Sequence, residues 1–206
     1  MSIPSAPIRL YGFPLSGHSH RVRLFLSLMK LPFDEVTVDL AGGEHKRPAF
    51  LSRNPFGQVP VIDDDTVTLA DSNAILVYLA TKYDEARRWL PLDPVSQAGV
   101  QRWLSLAAGP LAYGPAAARV GVVFGGPKDP VHLARANDLF ATVDRHLAGR
   151  TWLAADHATI ADVAMYTYTA HAPEGDVSLD EYPQLRAWLR RVEGLPGFVA
   201  MKRANA

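Results

Sequence analysis

The chain has 206 residues, long enough to bury a real core as one medium domain or two small ones. Its 21 acidic and 21 basic side chains cancel, so bulk electrostatics gives no reason to expect nucleic acid or an anionic membrane as a partner. With 48% hydrophobic residues, no apolar run near the roughly 18 residues of a membrane span and no basic-then-apolar start, the chain reads as soluble; residues 1–7 are expected to be a loose leader and the cytoplasm the compartment.

Residues 8–13 alternate like a short strand and lead into the turn signal Pro14-Leu15-Ser16-Gly17. Val22, Phe25, Leu26 and Met29 then fall at i, i+3, i+4 and i+7, which predicts a helix with one apolar face, ended by Pro32. Residues 35–39 read as a second strand, parallel to the first because a helix connects the two. The stretch 41–54 is polar, with one short helix expected over 48–52. Residues 60–63 and 67–69 flank the acidic turn Asp63-Asp64-Asp65, a hairpin signal, and a helix follows over 72–82 with Ile75, Leu76 and Leu79 inward.

Residues 87–94 read as a linker, which places one domain at 1–84 and a second at 92–206. Beyond the linker every pattern is helical. Gly109-Pro110 and Gly114-Pro115 should kink or split the helix expected between 97 and 124. Leu133, Ala136, Phe140, Val143 and Leu147 form a buried seam that stops at Gly149. Further helices begin near Thr159 and at Pro183, the last with Leu185, Trp188, Leu189 and Val192 facing the core. The fold class is therefore α/β plus all-α: a β-α-β-α-β-β-α unit of thioredoxin-like order, then a helical unit.

Two features carry chemistry. Pro60 interrupts the apolar run 59–62; a proline cannot donate to a sheet ladder, so it marks an edge or a special backbone geometry. Eleven residues later Asp71-Ser72 opens a helix, where free N–H groups and the helix dipole favour an anion. An edge strand beside such a helix start suits a short acidic peptide. This pairing resembles the glutathione site of the cytosolic glutathione S-transferase family. The resemblance extends along nearly the whole chain: Thr159-Ile160-Ala161-Asp162 is similar to the capping box these enzymes carry in a late helix.

The resemblance implies a role for each matching residue. The Val59-Pro60 bond would be cis, with the Val59 backbone pairing with the cysteinyl unit of glutathione; the plainer alternative is a trans proline on an edge strand. Ser72 would cap its helix and bind the γ-glutamyl carboxylate, and Asp71 would bind the ammonium; alternatively the two only cap a helix. Gln58 and His45 would hold the glycyl carboxylate, unless His45, Lys46 and Arg47 form a solvated loop. Phe56 matches an aromatic key for a partner subunit, implying a homodimer, or else packs at home.

The thiol needs activation. A cysteine thiol has pKa about 8.5, and lowering it by about two units takes roughly 2.7 kcal/mol of preference for the charged form. One hydrogen bond to a charged group supplies about 1.5–3 kcal/mol, and a helix start about 0.3–1 more. One hydroxyl is enough. The run Ser16-Gly17-His18-Ser19-His20-Arg21-Val22-Arg23 resembles the Ser-Ser-Cys-x-x-Arg-Val-Arg signature of the zeta branch, with Ser16 at the catalytic serine and His18 in place of the cysteine. Ser19, His18 and Tyr11 are the alternatives.

The chain contains no cysteine, which excludes disulfides, thiolate metal sites and a mixed disulfide with glutathione. His18, His20 and His45 make a weak metal-ligand set, and none is expected to hold a metal. The implied activity is conjugation of the glutathione thiolate, as co-substrate, to a small, mostly apolar electrophile. Phe13, Leu15 and residues 103–113 are expected to line the electrophile's pocket between the halves. A glutathione-dependent isomerase or peroxidase is the second reading and a non-catalytic protein-interaction module the third.

Overall fold

The computed structural model describes residues 3–126 and 129–204; Met1 and Ser2 of the expected leader lie outside the described residues. The chain forms two compact units, one made of residues up to Arg87 together with Pro196–Lys202, the other starting at Arg88 and running to Leu195.

In the first unit, β1 (Ile8–Gly12), α1 (Gly17–Leu28), β2 (Phe33–Thr37), α2 (Pro48–Leu51), β3 (Val61–Asp64), β4 (Val67–Ala70) and α3 (Ser72–Tyr83) follow in order. The sheet runs β2-β1-β3-β4, with β1 parallel to β2, as the helical crossover requires, and the β1–β3 and β3–β4 pairs antiparallel. This is a thioredoxin-like arrangement. Val22, Phe25, Leu26 and Met29 are all at most 1% exposed and turn one face of α1 into the core. Burying one such side chain is worth about 1.5–3 kcal/mol.

The acidic turn is less solvated than its composition suggests. Asp64 is 3% exposed and accepts hydrogen bonds from Tyr78 (2.8 Å), Tyr83 (2.7 Å) and Lys82 (2.8 Å), three residues on one face of α3. Burial alone would push its carboxyl up; the donors from Lys82, Tyr83 and Tyr78 outweigh it and hold the pKa below the ordinary value. Burial and then the Asp64 carboxylate push Tyr83 up to about 12. The hairpin is thus tied to α3.

The chain returns to this unit near its end. His20 Nε2 donates to Val199 O (2.8 Å), Arg23 to Ala200 O (2.7 Å) and Ser27 Oγ to Gly197 O (2.6 Å), so one face of α1 grips three carbonyls of one short main-chain stretch. Gly197 has φ +91, and a Cβ there would stand 2.7 Å from Ser27 O, so only glycine fits.

The second unit contains α4 (Pro94–Ala108), a π-helical turn (Ala112–Ala116), α5 (Ala117–Val123), α6 (Pro130–Leu147), α7 (Ile160–Ala170) and α8 (Pro183–Glu193). The expected break appears as the end of α4 at Gly109 and the wide turn that holds Pro115. Gly114 is needed for packing, since a Cβ would lie 3.0 Å from Ala136 N of α6. At the start of α7 the capping box forms: Thr159 N–H donates to Asp162 Oδ2 (2.9 Å) and Ala161 N–H to Thr159 Oγ1 (3.3 Å). Asp162 also accepts from Leu153 N–H (3.1 Å) and Trp188 Nε1 (2.9 Å), and Trp188 is fully buried. Among the described residues no helix is long and apolar enough to cross a membrane.

Candidate active site

A cleft of about 770 Å³ opens on the first unit and brings together His45, Gln58, Val59, Pro60, Asp71 and Ser72, with His18 in its wall. The Val59-Pro60 peptide is cis. The main-chain N–H and C=O of Val59 make no hydrogen bond among the described residues and so are open to an extended peptide. The loop before it is held from both ends. Asn54, 4% exposed, accepts from Phe56 N–H (3.1 Å) and donates to Gln58 O (2.8 Å). Lys46 Nζ donates to the carbonyls of Phe56 (3.1 Å) and Gly57 (3.2 Å), so this lysine, though exposed, ties the loop. His45 is half-buried, and its Nδ1 is buried without a hydrogen-bond partner. Gln58 is exposed and lines the same cleft.

The start of α3 contributes Asp71 and Ser72 to the same cleft. The expectation that Ser72 caps this helix is corrected by one residue: Asp71 is the N-cap, accepting from Ala74 N–H through Oδ1 (2.9 Å). Asp71 has φ +71 and ψ 121, a strained backbone for a non-glycine residue, while its side chain stays exposed. Ser72 occupies the first helical turn, 3% exposed, and its Oγ accepts from Arg21 NH1 at 2.8 Å. The same guanidinium, 1% exposed, donates to Asn73 Oδ1 (3.0 Å). A buried cation therefore stands directly behind a helix N-terminus, and both favour an anion in front of it.

The start of α1 sorts the candidate hydroxyls. Tyr11 is diverted: its hydroxyl donates to Asp63 Oδ2 (2.9 Å) and its ring lies under Arg53 (4.7 Å) in the cluster with Val38, Phe50 and Val61. Ser19 is 5% exposed and its Oγ accepts from Phe13 N–H (3.2 Å) against Gly12, away from the cleft. Ser16 is the half-buried N-cap of α1; its Oγ accepts from Ser19 N–H (3.2 Å) and keeps its own hydrogen to donate. Ser16 does not line the 770 Å³ cleft, whereas His18, two residues on, does.

Arg21, Asn54 and Lys46 were missed as site residues. Arg21 had a legible signal, a charge set i, i+4 from Phe25 on the buried face of α1. Phe56 is 79% exposed and does not pack at home. Trp103 is 4% exposed, edge-on to His146 at 4.9 Å, so it belongs to the second unit's core and not to a pocket wall.

Known proteins are similar to this chain along most of its length. The family model described as glutathione S-transferase, N-terminal domain, matches residues 6–81, and the C-terminal domain model of the same family matches residues 126–196. Glutathione S-transferase 3 of Zea mays is 34% identical over 208 residues, covering 94% of this chain and 92% of its own. A glutathione S-transferase from Pseudomonas fluorescens superposes with a TM-score of 0.89 at 31% identity, covering 96% of this chain and all of the other (100%). A glutathione transferase homolog of Drosophila mojavensis, solved with bound glutathione, gives a TM-score of 0.84 at 28% identity over 92% of this chain and 89% of that one.

Proposed function

The chain belongs to the glutathione S-transferase family and is a glutathione transferase; from that premise we propose how its residues divide the work. The Val59 main chain receives the cysteinyl unit as one more strand, and the cis Pro60 leaves that edge free of a competing ladder. Ser72 and the α3 N-terminus take the γ-glutamyl carboxylate, and Asp71 takes the ammonium through its exposed carboxylate. His45 and Gln58 take the glycyl carboxylate. The observation that carries this reading is the cleft itself: it gathers these residues with an open main-chain edge between two ends of suitable chemistry.

Ser16 is the proposed thiolate-stabilising residue. Its hydroxyl donates to the glutathione sulfur while Ser19 N–H occupies one of its lone pairs. The anionic sulfur then attacks an electrophilic carbon of a small, mostly apolar substrate, with no covalent link to the protein. The test is the ultraviolet absorbance of bound thiolate across pH. Ser16→Ala should raise the bound thiol pKa by about one to two units, the worth of one hydrogen bond to a charged group. An unchanged pKa would move activation to another residue.

The isomerase reading lacks its cysteine, and a pure interaction module has no use for a peptide cleft. A panel of aryl halides, peroxides and cis-enone acids separates transferase from peroxidase and isomerase. We further propose a cytoplasmic homodimer in which exposed Phe56 enters the partner's pocket of about 560 Å³ between α4 and α6, lined by Leu106, Pro110, Tyr113 and Leu139. Phe56→Ser should shift the sedimentation coefficient toward a monomer.

A further inference from the structure

The chain passes from the first unit to the second between Arg87 and Arg88. Arg87, in the left-handed region at φ +53, is fastened to the end of α3: its N–H donates to Asp84 O (3.0 Å) and its Nη1 to Thr81 O (2.7 Å). The next two residues are fastened to the segment that leads into α7. Trp89 O accepts Ile160 N–H (3.0 Å), one of the first-turn donors that a helix cannot satisfy internally. Arg88 O lies 2.8 Å from Nε2 of His157, and the other ring nitrogen, Nδ1, lies 2.6 Å from Asp156 Oδ1. A main-chain carbonyl and an ionised carboxylate can only accept. A neutral imidazole has one hydrogen to divide between them; the imidazolium, with a hydrogen on each nitrogen, makes both bonds. The charged groups facing the ring are Asp156 from its own loop and Arg88 from the linker. The His157 hydrogen bond, and then its charge, hold the Asp156 carboxyl below the ordinary carboxylate range, with a smaller push from Arg88 in the same direction.

We propose that His157 is a proton-dependent latch: its imidazolium pins Arg88, the first residue of the second unit, to the loop before α7. The sign follows from the two acceptors. The latch is complete where the ring carries both hydrogens. It weakens as the pH rises and one leaves, because Asp156, whose side chain is 96% exposed, then competes with the carbonyl for the hydrogen that stays. The weakening is local. Ile160 N–H still holds Trp89 O and the α7 capping box is untouched, so the Arg88 peptide opens without the helix behind it.

The test is limited trypsin digestion of the full chain and of His157→Ala at about pH 6 and about pH 8.5, since the Arg88–Trp89 bond is itself a trypsin site. Fragment masses identify the cut, and the ratio of variant to parent rates at each pH removes the protease's own pH dependence. At the acidic pH, His157→Ala should be cut after Arg88 about tenfold faster than the parent, the worth of one charge-assisted hydrogen bond. At the alkaline pH the ratio should fall to about threefold or less, because a neutral ring holds the carbonyl more weakly. Cutting elsewhere in the chain should be the same in both proteins. A ratio near one at the acidic pH shows that the ring does not hold Arg88, and an equal ratio at both pH values shows a bond indifferent to the proton; either overturns the latch. A variant cut faster at every site overturns it too, by assigning His157 to the stability of the whole fold.

Discussion

The first turns of α3 and α7 are both capped by a side-chain oxygen, Asp71 in one and Thr159 in the other, yet their surroundings differ in every other respect. At α7, Thr159 and Asp162 are both 0% exposed, and the carboxylate collects Thr159 N–H, Leu153 N–H and Trp188 Nε1. Burial pushes the Asp162 pKa up, and those donors oppose the shift. Nothing is left over for a ligand. At α3 the cap is exposed on a strained backbone, Asp71 and Ser72 line a cleft, and a buried guanidinium lies behind Ser72. A closed cap adds to the stability of the fold, whereas an open one keeps part of its hydrogen-bonding capacity for a partner.

That contrast can be broken by substitution. Asp162→Ala should have the largest effect, about 4 kcal/mol of unfolding free energy in a urea titration, because it orphans several buried donors at once. Loss of stability well under 1 kcal/mol would show that the α7 start is not the anchor described. Ser72→Ala should act on both sides of the comparison. It removes the acceptor of a buried guanidinium, costing about 1–2 kcal/mol, and weakens glutathione binding by about tenfold. Asp71→Asn sharpens the contrast further. Asparagine tolerates positive φ and keeps the cap, so stability should stay within about 0.5 kcal/mol while glutathione affinity falls by about tenfold. Equal affinity would remove the ammonium role from Asp71.

The smallest effect is nil at pH 7 and emerges only on acidification. His18 titrates at about 3 in the folded protein against an ordinary 6.5, so between those values the unfolded chain binds a proton that the folded chain does not. Stability from this group is whole above pH 6.5 and is lost as the pH falls toward 3. His18→Gln should flatten the pH dependence of unfolding free energy from 6.5 downward; an identical slope in both proteins would refute the depressed pKa.

The fold was legible because its signals are local: the apolar stripe of α1, the hairpin punctuation and the Thr159 to Asp162 box each lie within one element. The site was legible as far as the motif reached. His45, Gln58, Val59, Pro60, Asp71 and Ser72 share one cleft, but the cap moved from Ser72 to Asp71, since both residue types cap helices and only backbone geometry separates them. Arg21 was legible as a charge on the buried face of α1, but its partner Ser72, 51 positions away in sequence, was not. Asp64 escaped for a similar reason: an acidic triplet reads as a solvated turn until Tyr78, Lys82 and Tyr83 are seen on the helix above it. The grip of His20, Arg23 and Ser27 on residues 197–200 had no signature at all, because main-chain acceptors carry no side-chain code.

That grip has a consequence for synthesis. On the ribosome, the first unit has its four strands and α3 as soon as residue 83 has emerged, but α1, capped by Ser16, waits for more than a hundred further residues before its outer face is covered. A fragment cut after Arg87 would leave three side-chain donors without their acceptors and should expose α1 to early proteolytic nicking, which supplying a peptide spanning 196–202 in trans should slow.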